Sequence, residues 1–242
     1  MITIEPSQSF GSSTATPEGA TQPRLGVIML NTHFPRLPGD VGNPQTFAFP
    51  SQYVRVQTAT VDRVISAQGV QPDVAEAILQ AAIQLEQQGV ELIVTSCGFL
   101  GELQGTIESH THTPLLSSSL MLVPLLRNVF GRQARLGVLT FDSRKLKPLH
   151  FNGHHDQWID IEGIEGGQEL HRVISQDLPA LDPQRAEADV LAAVDRLLHH
   201  KPAALLLECT NLSPYIEAIR QHSGLPVFDL IQAIHWLLAA KG

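Results

Sequence analysis

The chain holds two cysteines, Cys97 and Cys209, and each follows directly on a short apolar run. VELIVTS (90–96) leads into Cys97, and AALLLE (203–208) leads into Cys209. Such runs, closed by turn residues, are the pattern of buried parallel strands, and ligands of open α/β sheets bind beyond the carboxyl ends of those strands. A lone cysteine is most often a small buried hydrophobe. Two at matching strand ends suggest chemistry instead. Thiols on opposite sides of one carbon take a proton from one face and return one to the other, inverting a centre beside a carboxylate. A thiol does this once its pKa falls below about 8.5, which the free N–H groups of a strand-to-helix turn favour. Those N–H groups also suit a substrate carboxylate. Thr95, Ser96, Thr210, Asn211 and Ser213 add small polar donors nearby.

The elements that must carry the thiols form two similar cycles. Residues 1–23, rich in Ser, Thr, Pro and Gly, are expected to be a disordered tail. A strand at 24–30, a long Pro-rich loop at 31–50 and a strand at 53–57 follow. Residues 72–88 place Val74, Ala77, Ile78, Ala81, Ala82 and Leu85 on one helical face, with Gly89 closing the helix. Next come the strand before Cys97, a short helix over 99–109, a strand at 114–118 and a helix at 119–130. The second cycle has strands at 134–140 and 158–164, with a helical turn over 142–150 between them. It continues with a helix at 183–200, the strand before Cys209, a helix at 212–222, a strand at 226–229 and a helix at 230–240. Both cycles start with Leu-Gly-Val, at 25–27 and 136–138. The expected fold is α/β, with a first lobe over 24–131, completed by the C-terminal helix, and a second over 132–229.

Bulk properties exclude several functions. The net charge is −8 and no basic stripe is present, which argues against a nucleic-acid partner. No apolar run reaches the roughly 18 residues of a membrane span, and no secretory signal is visible, so a cytoplasmic location is expected. The lysines are Lys145, Lys147, Lys201 and Lys241, none at a strand end, so no pyridoxal cofactor is implied. His110 with His112, and His154 with His155 and Asp156, lack a further ligand set at a metal-site spacing, so no metal is expected. No dinucleotide or Walker pattern occurs. Leu122, Leu125, Leu126 and Val129, at helical spacing, read as core or subunit interface.

The stretches VTSCGF (94–99), LGVLT (136–140), LLLECTNLSPY (205–215) and PVFDLIQAI (226–234) resemble the aspartate/glutamate/hydantoin racemase superfamily over nearly all of 24–240. The resemblance implies two Rossmann-like lobes with mainly parallel sheets, related by a pseudo-twofold axis, with the active site in the cleft between them. It implies a cofactor-independent racemase or epimerase, an isomerase in which Cys97 and Cys209 are the acid/base pair. Its substrate would be a small amino acid or related carboxylate, and a homodimer is compatible with it. Thr210 and the turn at Ser96 and Gly98 would hold the carboxylate, and Asn31, Thr32 and Asn211 would also contact substrate. Glutamate racemases carry Cys-Asn-Thr and Cys-Thr-His where this chain has Cys97-Gly98-Phe99 and Cys209-Thr210-Asn211, so glutamate is not the expected substrate. Glu208 either holds a substrate ammonium or faces a neighbouring helix. Arg36 and Asp40 either touch substrate or pair with each other at the surface, and His33 is expected to face solvent. A dicarboxylate isomerase or decarboxylase of the same fold, and a non-catalytic carboxylate sensor, are the rival readings.

Overall fold

The computed structural model describes residues 23–241, so all but the last residue of the expected N-terminal tail lies outside the described residues. Strands β1 (Leu25–Leu30), β2 (Ser51–Val56), β3 (Leu92–Thr95) and β4 (Leu115–Leu116) form one parallel sheet in the order β2-β1-β3-β4. Strands β5 (Leu136–Thr140), β6 (Ile159–Gly163), β7 (Ala204–Leu207) and β8 (Val227–Phe228) form another, ordered β6-β5-β7-β8. Every residue of β1, β3, β5 and β7 is buried, as a sheet covered on both faces requires. This is why these strands read as unbroken apolar runs rather than alternating ones.

The helices are α1 (Val61–Val64), α2 (Pro72–Gln87), α3 (Gln104–Glu108), α4 (Val123–Phe130), α5 (Leu170–Ser175), α6 (Pro183–Leu198), α7 (Ile216–Ser223) and α8 (Leu230–Ala239). α2 and α6 are each 16 residues long and start with a proline whose missing N–H costs nothing in the first turn. Asp182 caps α6 by accepting from the N–H groups of Gln184 and Arg185. Both helices lie tightly over their sheets because the central strand offers a glycine beneath them. A Cβ at Gly26 would sit 3.1 Å from Leu85 of α2, and one at Gly137 would sit 2.9 Å from Leu197 of α6. The repeated Leu-Gly-Val is therefore a packing device. α8 buries Leu230, Ala233, Ile234 and Leu238 against Leu25, Val27, Leu92 and Val94 of the first sheet.

Several expected elements differ in extent. The strands at 114–118 and 226–229 shrink to two residues each, and the turn at 142–150 is a single 3-10 turn, Pro148–Phe151. The helices after both thiols open as 3-10 turns, Gly98–Leu103 and Thr210–Tyr215. Two glycines weaken α-helix in the first, and Pro214 withholds an N–H in the second. The short helices α1 and α5 were not legible in the sequence, since neither is long enough to show a period.

Register places the two thiols equivalently. Ile28 of β1 pairs with Thr95, and Cys97 follows two residues later. Leu139 of β5 pairs with Leu207, and Cys209 follows two residues later. Ile28 and Leu139 each stand three residues after the leucine of their Leu-Gly-Val.

Candidate active site

Cys97 and Cys209 line one narrow cavity, partly open to solvent, with walls from both lobes. Thr32, Arg36, Ser96 and Gly98 contribute from the first lobe, and Glu208 and Asn211 from the second. The remaining wall is apolar: Leu30, Phe34, Val61, Ile65 and Phe99 on one side, Phe141 and Ile174 on the other. Sequence reading missed most of that wall. Phe141 follows directly on β5, so its place beyond a strand end was the available signal. Phe34, Ile65 and Ile174 had none.

Each sulfur stands at the mouth of its own 3-10 turn. Burial pushes the Cys97 thiol far above the ordinary thiol range and the Glu208 carboxylate adds to this, while the N–H groups of Phe99 and Leu100 and the Arg36 guanidinium pull it back. Cys209 is also pushed well up, by burial first, then by Glu208 and Cys97, with the Asn211 N–H opposing and Asp40 adding to the rise. The two thiols are thus close enough to feel each other's charge. Burial favours the neutral thiol at both positions, and Cys97 has more groups that favour a thiolate.

Glu208 is 1% exposed. Its Oε2 accepts a 2.5 Å hydrogen bond from the Thr140 hydroxyl, whereas Oε1 is buried with no partner. Burial lifts its pKa to about 7 from an ordinary 4.5. Between those values the folded chain holds a proton that the unfolded chain has released, so this group's contribution to stability is full below pH 4.5 and lost as pH rises to about 7. Glu208→Gln is expected to gain about 3 kcal/mol on the native protein between pH 4.5 and 8, readable by urea unfolding across that range. A pH-independent difference between the two proteins would show that Glu208 is not desolvated.

Gly98 is set by Glu208. A Cβ at residue 98 would stand 2.2 Å from Glu208 Oε1 and 2.5 Å from the Glu208 carbonyl oxygen. The Glu208 N–H is held by the Leu139 carbonyl at 2.8 Å, so that backbone cannot retreat. Gly98→Ala is expected to cost about 1–3 kcal/mol by overpacking and to lower turnover at least tenfold, measured by melting and steady-state kinetics. Unchanged turnover would separate the Gly98–Glu208 contact from the chemistry.

The long loop after β1 is anchored across the cleft. Asp40 is fully buried and accepts from Arg36 at 2.9 Å, the Gly42 N–H at 2.7 Å and the Asn211 amide at 2.6 Å. Arg36 also donates to the Thr32 hydroxyl at 3.1 Å. Arg36 and Asp40 therefore pair in the interior, not at the surface. The Thr210 hydroxyl donates to the Ser96 carbonyl at 3.1 Å, so it ties the lobes together rather than standing free toward the cavity. Ser96 Oγ accepts from the Leu30 N–H. Asn31 lies away from the cavity and donates to the Gln57 carbonyl, in a surface groove with Thr60 and Asp62. His33 is 69% exposed at its side chain and meets Asp177 at 2.9 Å. The nine residues expected at the site thus divide: Thr32, Ser96, Cys97, Gly98, Glu208, Cys209 and Asn211 come together, and Asn31 and Thr210 line no part of the cavity.

Two α/β lobes, each bringing one cysteine from a matching strand end to a shared cavity, define a protein of the racemase fold. The chain belongs to the Asp/Glu/Hydantoin racemase family, whose model it matches over residues 58–238. It is similar to the dimethylsulfoniopropionate lyase of Durusdinium sp. clade D, 28% identical over 217 residues, covering 86% of this chain and 71% of that protein. It is also similar to dimethylsulfoniopropionate lyase 6 of Emiliania huxleyi, 30% identical over 233 residues, covering 91% of this chain and 60% of that protein. Among solved structures, allantoin racemase from Klebsiella pneumoniae shares the fold, with a TM-score of 0.58 and 18% identity over 90% of this chain and 89% of that one. Among the described residues no helix is long and apolar enough to cross a membrane.

Proposed function

We propose that the chain is a lyase that removes a proton beside a small carboxylate and expels a sulfur leaving group from the next carbon, with dimethylsulfoniopropionate as its substrate. The observation that carries this reading is the shared cavity of Cys97 and Cys209, closed on most sides by apolar side chains. The names of the relatives, dimethylsulfoniopropionate lyases, support the leaving group. A thiolate takes the Cα proton and the electron pair forms the Cα–Cβ double bond. The Cβ–S bond breaks, its pair leaves with sulfur, and the products are acrylate and dimethyl sulfide. Cys97 is the base, since Arg36 and two N–H groups favour its anion. Burial favours neutral thiols, and a cationic sulfur entering the cavity supplies positive charge that stabilises a thiolate.

The second thiol favours one other reading, racemisation of a carboxylate, in which both sulfurs exchange protons. Incubation in deuterium oxide separates the two. Elimination yields acrylate by NMR and dimethyl sulfide in the headspace. Racemisation leaves the carbon skeleton whole and places deuterium on Cα of an amino or hydroxy acid. Deuterium exchange into such acids without any acrylate from dimethylsulfoniopropionate would overturn the lyase reading.

A further inference from the structure

We infer that Glu208 is the residue that selects substrate charge, seating a positively charged group of the ligand against its unpartnered Oε1 while the carboxylate end lies toward Arg36. This rests on the lyase reading for its substrate, and it concerns a side chain outside the proton transfer itself. Three observations meet at this position. Glu208 lines the cavity and is 1% exposed; Oε2 accepts from Thr140 and the Phe141 N–H also favours the carboxylate, yet Oε1 has no hydrogen-bond partner. An orphaned carboxylate oxygen in the interior costs free energy unless a ligand compensates it.

Among the described residues no side chain supplies a counter-charge to Glu208, and Arg36 is matched by Asp40 at 2.9 Å. The residue opposite is a glycine, Gly98, and a Cβ there would stand 2.2 Å from Oε1 and crowd it. Phe99 and Phe141 add aromatic walls beside the acid. A carboxylate attracts a cation with or without an N–H to donate, a sulfonium included, because attraction to the charge needs no directed hydrogen bond. The favoured ligand is a zwitterion with its cation two carbons from its carboxylate carbon.

Binding of two non-reacting ligands of one shape tests this in the full-length protein. 3-(Dimethylamino)propionate is cationic at pH 8, and 4-methylpentanoate is its neutral-headed counterpart. By calorimetry at pH 8, the wild type is expected to bind the cationic ligand at least tenfold more tightly. In Glu208→Gln that preference is expected to vanish while affinity for 4-methylpentanoate holds within about threefold, which also reports that the variant is folded. Equal affinities in the wild type, or a preference that survives in Glu208→Gln, would overturn the assignment. Failure of the lyase reading is a different result: the charge preference would persist while dimethylsulfoniopropionate yields no acrylate.

Discussion

Cys97→Ser is expected to lower turnover of dimethylsulfoniopropionate by about 10³-fold or more, within the range for loss of a positioned general base. The serine hydroxyl keeps the place of the thiol but is far harder to ionise, so the N–H groups of Phe99 and Leu100 have no anion to stabilise. Cys209→Ser is expected to cost less, about 10²-fold, because Arg36 favours the anion of Cys97 whereas Asp40 disfavours that of Cys209. The ratio between the variants carries the information. Unequal losses fit one base and an elimination. Equal and severe losses fit proton exchange through both sulfurs and would displace the lyase reading in favour of racemisation. If Cys97→Ser keeps near-normal turnover with either kind of substrate, thiolate chemistry at this site is wrong. Steady-state rates on both variants, with melting curves to confirm folding, are sufficient.

Arg36→Met should be the most destabilising change at the cleft. It leaves the Asp40 carboxylate, fully buried, without its counter-charge, and stranding one partner of a buried pair costs about 3–5 kcal/mol. At roughly 2–4 °C per kcal/mol for a chain of this size, Tm is expected to fall by on the order of 10 °C. The double variant Arg36→Met with Asp40→Asn is expected to recover much of the loss, because an amide needs no counter-charge and still accepts from the Gly42 N–H. A strong coupling between the two substitutions is therefore the expected signature. Arg36→Met within 1 kcal/mol of the wild type would mean that the pair is solvated in solution. The consequence reaches the chemistry, since Asp40 also holds Asn211 two residues after Cys209.

The buried parallel strands were legible because their residues have few other uses. LGVIML, LIVT, LGVLT and ALLL are too apolar for a surface and too short for independent helices. The long helices α2 and α6 announced themselves through a proline start and an apolar stripe. The two-residue strands β4 and β8 could not be bounded, since pairing with a neighbour, rather than composition, decides how far such a strand runs. The 3-10 turns after each thiol likewise depend on how the chain packs.

The sequence alone determined the pairing of thiols with strand ends, because a parallel strand buried on both faces must be continuously apolar and a turn must follow it. The repeated Leu-Gly-Val then set both sulfurs in equivalent places. Only the tertiary structure decided which polar groups reach them. Asn31 and Thr210 sit near the right strand ends, yet their side chains satisfy the Gln57 and Ser96 carbonyls. Arg36 and Asp40, four residues apart in a loop, became a buried pair bound to the opposite lobe. Glu208 turned toward Gly98 and Thr140. Direction and partner across a cleft depend on contacts more than a hundred residues distant, which local pattern cannot encode.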